Sequence, residues 1–137
     1  MNLTEMRTMV RRDLKDEDAG NYRWTDDELD RHIAHAVHDF SEAIPYEQKE
    51  TIPTVSGSRE IDVSSIIDRV MIEAVEYPVD LFPKKFQRFS LWANIITVLG
   101  NEIPDGSNAC IYYGKIHELD TSGSTIPVKY EELIAIG

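Results

Sequence analysis

A chain of 137 residues suits one domain around a single core, and 42% apolar with 28% charged residues is the balance of a soluble globular protein. The net charge of -11 argues against ordinary nucleic-acid binding, because affinity for DNA comes mainly from cations that release phosphate counterions; it suits a surface that faces DNA without gripping it. No apolar run reaches membrane-spanning length, Met1-Asn2-Leu3-Thr4-Glu5 lacks the basic and apolar regions of a signal peptide, and the single cysteine, Cys110, excludes an intramolecular disulfide and a thiolate zinc cage. The protein is expected to stay in the compartment where it is made, and its cysteine usage fits a reducing cytoplasm.

In the first segment Leu3, Met6, Val10 and Leu14 recur at three- and four-residue spacing, which predicts an amphipathic helix capped by Asn2 or Thr4. Residues 15–23 are acidic, contain Gly20-Asn21, and read as a loop. Trp24-Thr25-Asp26-Asp27-Glu28-Leu29 is then a complete helix start. Thr25 is placed to cap the first free amides, Glu28 to reach back to the cap's own amide, and Trp24 to pack on Leu29 as a hydrophobic staple. The helix it opens puts Leu29, Ile33, Ala36, Val37, Phe40, Ala43 and Ile44 on one stripe and ends at Pro45. Residues 1–45 are therefore expected to pair as a helical hairpin.

The period changes after Pro45. Thr51-Ile52-Pro53-Thr54-Val55 and Arg59-Glu60-Ile61-Asp62-Val63 read as short strands around Ser56-Gly57-Ser58, with Pro53 demoting the first to an edge. Residues 64–68 are a possible helical turn, and alternation resumes at Val70, Ile72 and Ala74. Pro78 and Pro83 keep the next tract extended at the surface. Residues 86–99 fit both a helical stripe and a strand; their aromatic and β-branched content favours strand. Pro104-Asp105-Gly106 supplies a turn, residues 109–117 return as a partner strand, and together they predict a long antiparallel hairpin. A polar loop leads to Pro127, which opens a last helix over residues 127–136 through Tyr130, Leu133 and Ile134. The expectation is one α+β domain: the helical hairpin packed on a small antiparallel sheet built from residues 49–117, plus a short carboxy-terminal helix.

No residue pattern makes a convincing active site, cofactor site or metal site. His32, His35 and His38 share a helix but fan steadily away from its apolar stripe, so three ligands cannot converge on one ion. Asp16-x-Asp18-x-Gly20 starts like a calcium loop, yet Asn21 stands where the sharp turn needs glycine and Asp27 where a bidentate Glu belongs. Cys110, His117 and Asp120 suggest nucleophile, base and orienter, but an odd separation along one strand sends Cys110 and His117 to opposite faces, so a buried structural thiol is the better reading. Lys84-Lys85-Phe86-Gln87-Arg88-Phe89 mixes cations with aromatics as some single-strand binders do; an alternating strand with one wet and one dry face is the better reading, because the surrounding acid would undercut a nucleic-acid groove. Glycine-rich phosphate loops and nucleophile elbows are lacking.

The tract Trp24-Thr25-Asp26-Asp27-Glu28-Leu29, with Asp39-Phe40-Ser41 and Ile44-Pro45, resembles the amino-terminal helices of head-to-tail adaptor proteins of tailed double-stranded DNA bacteriophages. Val75-Glu76-Tyr77-Pro78, Ile111-Tyr112-Tyr113-Gly114-Lys115-Ile116-His117 and Gly123-Ser124-Thr125-Ile126-Pro127 are similar to the same group, so the likeness spans most of the chain. The resemblance implies a non-enzymatic virion protein in the neck, assembled in the host cytoplasm. Its subunits form a ring, commonly twelve-fold, beneath the portal protein, extend the DNA channel and offer a platform to a stopper or tail protein. Genome DNA passes without specific binding, and no cofactor or membrane is involved. It also implies that the segment from Pro127 through Tyr130, Leu133 and Ile134 lies towards the portal. Longer relatives continue beyond the position of Gly137; if the chain is truncated there, the main portal-anchoring element is missing and the chain is expected to be monomeric alone. A stopper or tail-completion protein and a small metal-dependent enzyme are the rival expectations.

Overall fold

A computed structural model describes residues 1–136, and the chain divides into two compact units: Met1–Tyr46 with Ile116–Gly137, and Glu47–Lys115. The first is helical. Helix α1 (Leu3–Leu14) is capped by Asn2, whose side chain accepts the Glu5 amide, and ends at Lys15 in the left-handed region. Helix α2 (Asp26–Ala43) follows the loop, and a 3-10 turn (Val128–Tyr130) leads into α3 (Glu131–Ile136). The apolar faces meet in a core of Met6, Ile33, Ala36, Val37, Phe40, Ile126 and Ile134. Ile126 and Ile134 come from the carboxy-terminal segment, which closes over the helical hairpin. Leu14 and Ile44, on the predicted stripes, are exposed, because both sit at helix ends where the core has run out.

The second unit holds the strands β1 (Tyr46–Pro53), β2 (Glu60–Asp62), β3 (Arg69–Glu76), β4 (Phe86–Gln87), β5 (Phe89–Trp92), β6 (Ile95–Val98) and β7 (Asn108–Lys115). They form a four-stranded sheet in the order β1-β7-β3-β4 and a three-stranded sheet in the order β2-β6-β5. Ile61, Val63, Ile66, Val75, Tyr77, Ile96, Val98, Ala109 and Ile111 fill the core of this unit. The α+β class stands, with β1 at a sheet edge, as Pro53 requires.

Three pairings differ from the sequence reading. Strands β1 and β2 flank one turn but belong to different sheets. Residues 86–99 are three strands and not one: the chain leaves the first sheet after Gln87, enters the second at Phe89, and folds back between Trp92 and Ile95. The long hairpin between residues 86–99 and 109–117 is accordingly absent among the described residues, and β7 pairs antiparallel with β3, from Arg69 opposite Lys115 to Glu76 opposite Cys110.

The fold-back explains why it escaped the sequence reading. A two-residue hairpin needs positive φ, normally signalled by glycine, and here Ala93 takes that position at φ 52°. The Arg69 guanidinium holds the turn from outside, donating to the Ala93 carbonyl and the Asn94 side chain, each at 2.8 Å. Ala93→Gly is therefore expected to raise stability by up to about 1 kcal/mol, because it removes the clash of a Cβ in the left-handed region. Urea unfolding midpoints for the two proteins check this; a lower midpoint for the glycine variant contradicts it.

Candidate functional site

The loop between α1 and α2 is organised around two charged side chains. Arg11, on the last turn of α1, is buried, and its guanidinium donates to Asp16 Oδ2 at 3.0 Å and Asp26 Oδ1 at 2.8 Å while lying 3.5 Å above the Tyr22 ring. Asp16 also accepts the backbone amides of Arg23 (2.8 Å) and Trp24 (3.1 Å). Those amides, the Arg23 one foremost, hold the Asp16 carboxyl below its ordinary value. The Arg11 hydrogen bond does the same for Asp26. Asp18, the other carboxylate of the calcium-like pattern, accepts the Gly20 amide. The acids of this loop thus fold the loop.

This clasp delivers Trp24 and Thr25 to the start of α2. Thr25 is its N-cap: the hydroxyl oxygen accepts the Glu28 amide at 3.2 Å. The Glu28 carboxylate accepts a hydrogen bond from the Thr25 hydroxyl at 3.1 Å, where the residue pattern predicted that it would reach the Thr25 amide. Leu29 is buried, whereas Trp24 stays half open with its ring edge-on to His32. Trp24 and Leu29 line, with Val10, Leu14, His32, Ala135 and Ile136, a largely apolar cavity of about 300 Å³.

His117 is a structural staple. Nε2 donates to the Ile44 carbonyl and Nδ1 accepts from the Thr125 hydroxyl, both at 2.9 Å, a tautomer set by the carbonyl, which can only accept. Its amide donates to Ser41 Oγ, and its ring packs against Phe40 and Tyr46. Both ring nitrogens are engaged, so His117 has no free base to offer Cys110, which lies on β7 with its thiol pushed up by burial. Asp120 accepts the Ser122 and Gly123 amides. His35 and His38 pair at 3.5 Å with Asp39 and Glu42 on the solvent side of α2, and the group formed by His38, Asp39 and Glu42 is exposed.

In the carboxy-terminal segment Pro127 precedes the 3-10 turn, Tyr130 packs its ring on Phe40 at 5.3 Å, and Ile134 is buried in the helical core. Leu133 and Val128 face solvent, exposed by 55% and 80%. The amino terminus reaches the same segment, its ammonium 2.9 Å from the Glu131 carboxylate.

The strand unit carries a second arrangement that residue patterns did not disclose. Buried Glu76 accepts the Tyr112 hydroxyl at 2.7 Å and faces Lys84 at 3.5 Å; the Tyr112 bond in particular lowers its carboxyl from the ordinary value. Tyr77 donates its hydroxyl to Asp105 and its amide to the Lys85 carbonyl, and the Gln87 side chain donates to the Tyr77 carbonyl. Bonds from Ser107 and Tyr77 bring Asp105 down to about 2. Residues 77–85 therefore form a loop closed at its base, and Phe82 stands at its tip, 101% exposed.

Buried Asp16, Glu76 and His117 are engaged in internal hydrogen bonds, and large apolar side chains stand open to solvent on both units. The family described as SU10 adaptor protein matches residues 1–135, and the chain belongs to it: a bacteriophage head-tail adaptor, a structural component of the virion that interacts with other head and tail proteins. A search of curated proteins gave no match. No described helix is long and apolar enough to cross a membrane.

Two outcomes follow from this geometry. Folded Asp16 and Asp26 titrate below their ordinary 3.8, so their contribution to stability is complete above that pH and is lost as pH falls through the lower folded values. Asp16→Asn should be less stable than wild type at neutral pH, with the gap closing under acid. Urea midpoints across a pH series test this, and a gap independent of pH contradicts it. His117→Phe leaves the Ile44 carbonyl and Thr125 hydroxyl without their partner and should cost about 1–3 kcal/mol in the same assay.

Proposed function

We propose that the protein is one subunit of an adaptor ring that joins the capsid portal to the tail or a stopper and extends the channel through which the genome passes. The observation that carries this reading is the family match over residues 1–135. The charge supports it: 25 acids against 14 cations suit a wall past which phosphates must slide, since repulsion keeps DNA from adhering. In this reading the protein resides in the neck of the virion and assembles in the host cytoplasm, in a ring of twelve. Pro127, Tyr130, Leu133 and Ile134 form the portal-proximal segment. Ile134 and Tyr130 hold it to the helical core, and exposed Val128 and Leu133 offer the apolar contact.

Native mass spectrometry of the chain mixed with the portal protein of the same genome tests the reading. A portal complex carrying a full ring of added subunits is expected. Binding to a tail-side protein with none to the portal overturns it in favour of a stopper. A second measurement addresses the charge: replacing channel-facing acids by lysine should slow genome ejection from assembled particles, and unchanged ejection contradicts the sliding role.

A further inference from the structure

In a chain of net charge -11, residues 81–101 contain no carboxylate and carry Lys84, Lys85 and Arg88. The same stretch holds Phe82, Phe86, Leu91, Trp92 and Leu99 in exposed positions, with Phe82 fully open and Trp92 85% open. Exposed aromatics concentrated next to cations mark a contact surface more than they mark solvated strand. Topology adds to this. Strand β4 is the outer strand of the four-stranded sheet and β5 the outer strand of the three-stranded sheet, and only Arg88 separates them along the chain. One continuous tract thus presents an open edge of each sheet. Its tip is held ready: the Tyr77 amide to Lys85 carbonyl bond closes the loop beneath Phe82, Lys84 pairs with Glu76, and Lys85 with Glu102. A preorganised loop loses little entropy when its tip is captured.

The helical unit has the opposite character. Met1–Tyr46 and Ile116–Gly137 contain 7 Lys and Arg against 15 Asp and Glu, a net -8 of the chain's -11, leaving 7 cations and 10 acids for Glu47–Lys115. It also contains the apolar cavity of about 300 Å³ walled by Val10, Leu14, Trp24 and Leu29. That cavity is of a size for one aromatic side chain; exposed charges of both signs flank it in sequence, Asp13, Glu17 and Asp27 with Arg12, Lys15 and Arg23, within a unit whose balance is acidic.

We propose that these two surfaces bind each other between copies of the chain: Phe82 of one copy enters the Val10, Leu14, Trp24 and Leu29 cavity of the next, and the cationic tract around Arg88 lies against that copy's acidic helical unit. The contact is heterologous, each copy using different surfaces towards its two neighbours, which is the kind of contact that closes into a ring. It names the self-partner within the adaptor ring proposed above and rests on that reading for its setting, although the contact itself is read without the portal. Burial of an aromatic anchor supplies the affinity, and the charges select the register.

Disulfide trapping tests it. Copies carrying Leu81→Cys, next to the intact Phe82, are mixed with copies carrying His32→Cys, at the rim of the intact cavity, in a glutathione redox buffer, alone at high concentration and again with portal protein; Cys110 stays in place, and each variant by itself is the control. Both substituted side chains are exposed, so folding is preserved. The mixed disulfide is expected to exceed either self-disulfide, and Arg88→Glu on the Leu81→Cys copy is expected to reduce it roughly ten-fold. A mixed disulfide no more abundant than the self-disulfides overturns the contact. Portal binding without the mixed disulfide overturns this contact alone, whereas the mixed disulfide without portal binding supports it and counts against the portal role. Binding of a labelled single-stranded oligonucleotide that is lost in Arg88→Glu, with no mixed disulfide, assigns the tract to nucleic acid and also overturns the proposal.

Discussion

A guanidinium removed from water has to be neutralised and hydrogen-bonded where it lies, and the helical unit is arranged around that requirement at Arg11. Two carboxylates and the face of Tyr22 surround it. Because Asp16 also takes the amides of Arg23 and Trp24, the same contacts that neutralise Arg11 set the path of the loop. The path in turn brings Thr25 to its capping position and Trp24 to the mouth of the apolar cavity. Further polar ties act on the rest of the unit. Arg7 forks onto Asp30 between α1 and α2, the amino terminus pairs with Glu131, and Ser41, His117 and Thr125 join the end of α2 to the returning chain. Three helices of unequal length with a modest core are held by specific pairs.

The strand unit follows the same rule with different groups. Several of its loops and turns are fastened by a side chain bound to backbone: Thr54 to the Ser107 carbonyl, Arg59 to the carbonyls of Val98 and Gly100, Arg69 to the turn at Ala93, and the Tyr77 hydroxyl to the Asp105 amide. Polar side chains that close loops this way leave apolar ones free to stand outside. Phe82, Trp92, Ile67 and Val55 are exposed on elements whose backbones are tied down. Such an arrangement costs solubility in a monomer and offers defined anchors to a partner.

Local chemistry was legible in the sequence, and partnership across distance was not. The Asn2 and Thr25 caps and the stops at Lys15 and Pro45 depend on neighbours within four residues, and both amino-terminal helices could be located from them. The edge position of β1 followed from Pro53. Strand pairing failed where its signal was missing: Ala93 turns the chain without a glycine, so residues 86–99 looked like one strand whose nearest partner in sequence was residues 109–117. The register of β7 against β3 instead depends on burial of Val75 and Ile111 in one core, a property of two distant segments together. Asp16 hid for a similar reason. An acid among acids in a polar loop looks solvated, and only folding reveals that its oxygens meet Arg11 and two amides. Of the carboxy-terminal residues singled out, Tyr130 and Ile134 face inward and Leu133 outward, a division that a six-residue helix following a 3-10 turn does not display as periodicity.

Membership of the SU10 adaptor family and a surface rich in acids and anchored apolar side chains support the proposed account, in which the chain takes its place at the vertex where the head meets the tail. The most direct measurement is electron cryomicroscopy of intact particles reconstructed at the portal vertex, with the helical unit and the strand unit fitted as separate bodies. The account predicts a ring of copies between portal and tail, encircling the channel. Density for the chain elsewhere in the particle, or a neck built without it, would contradict the account.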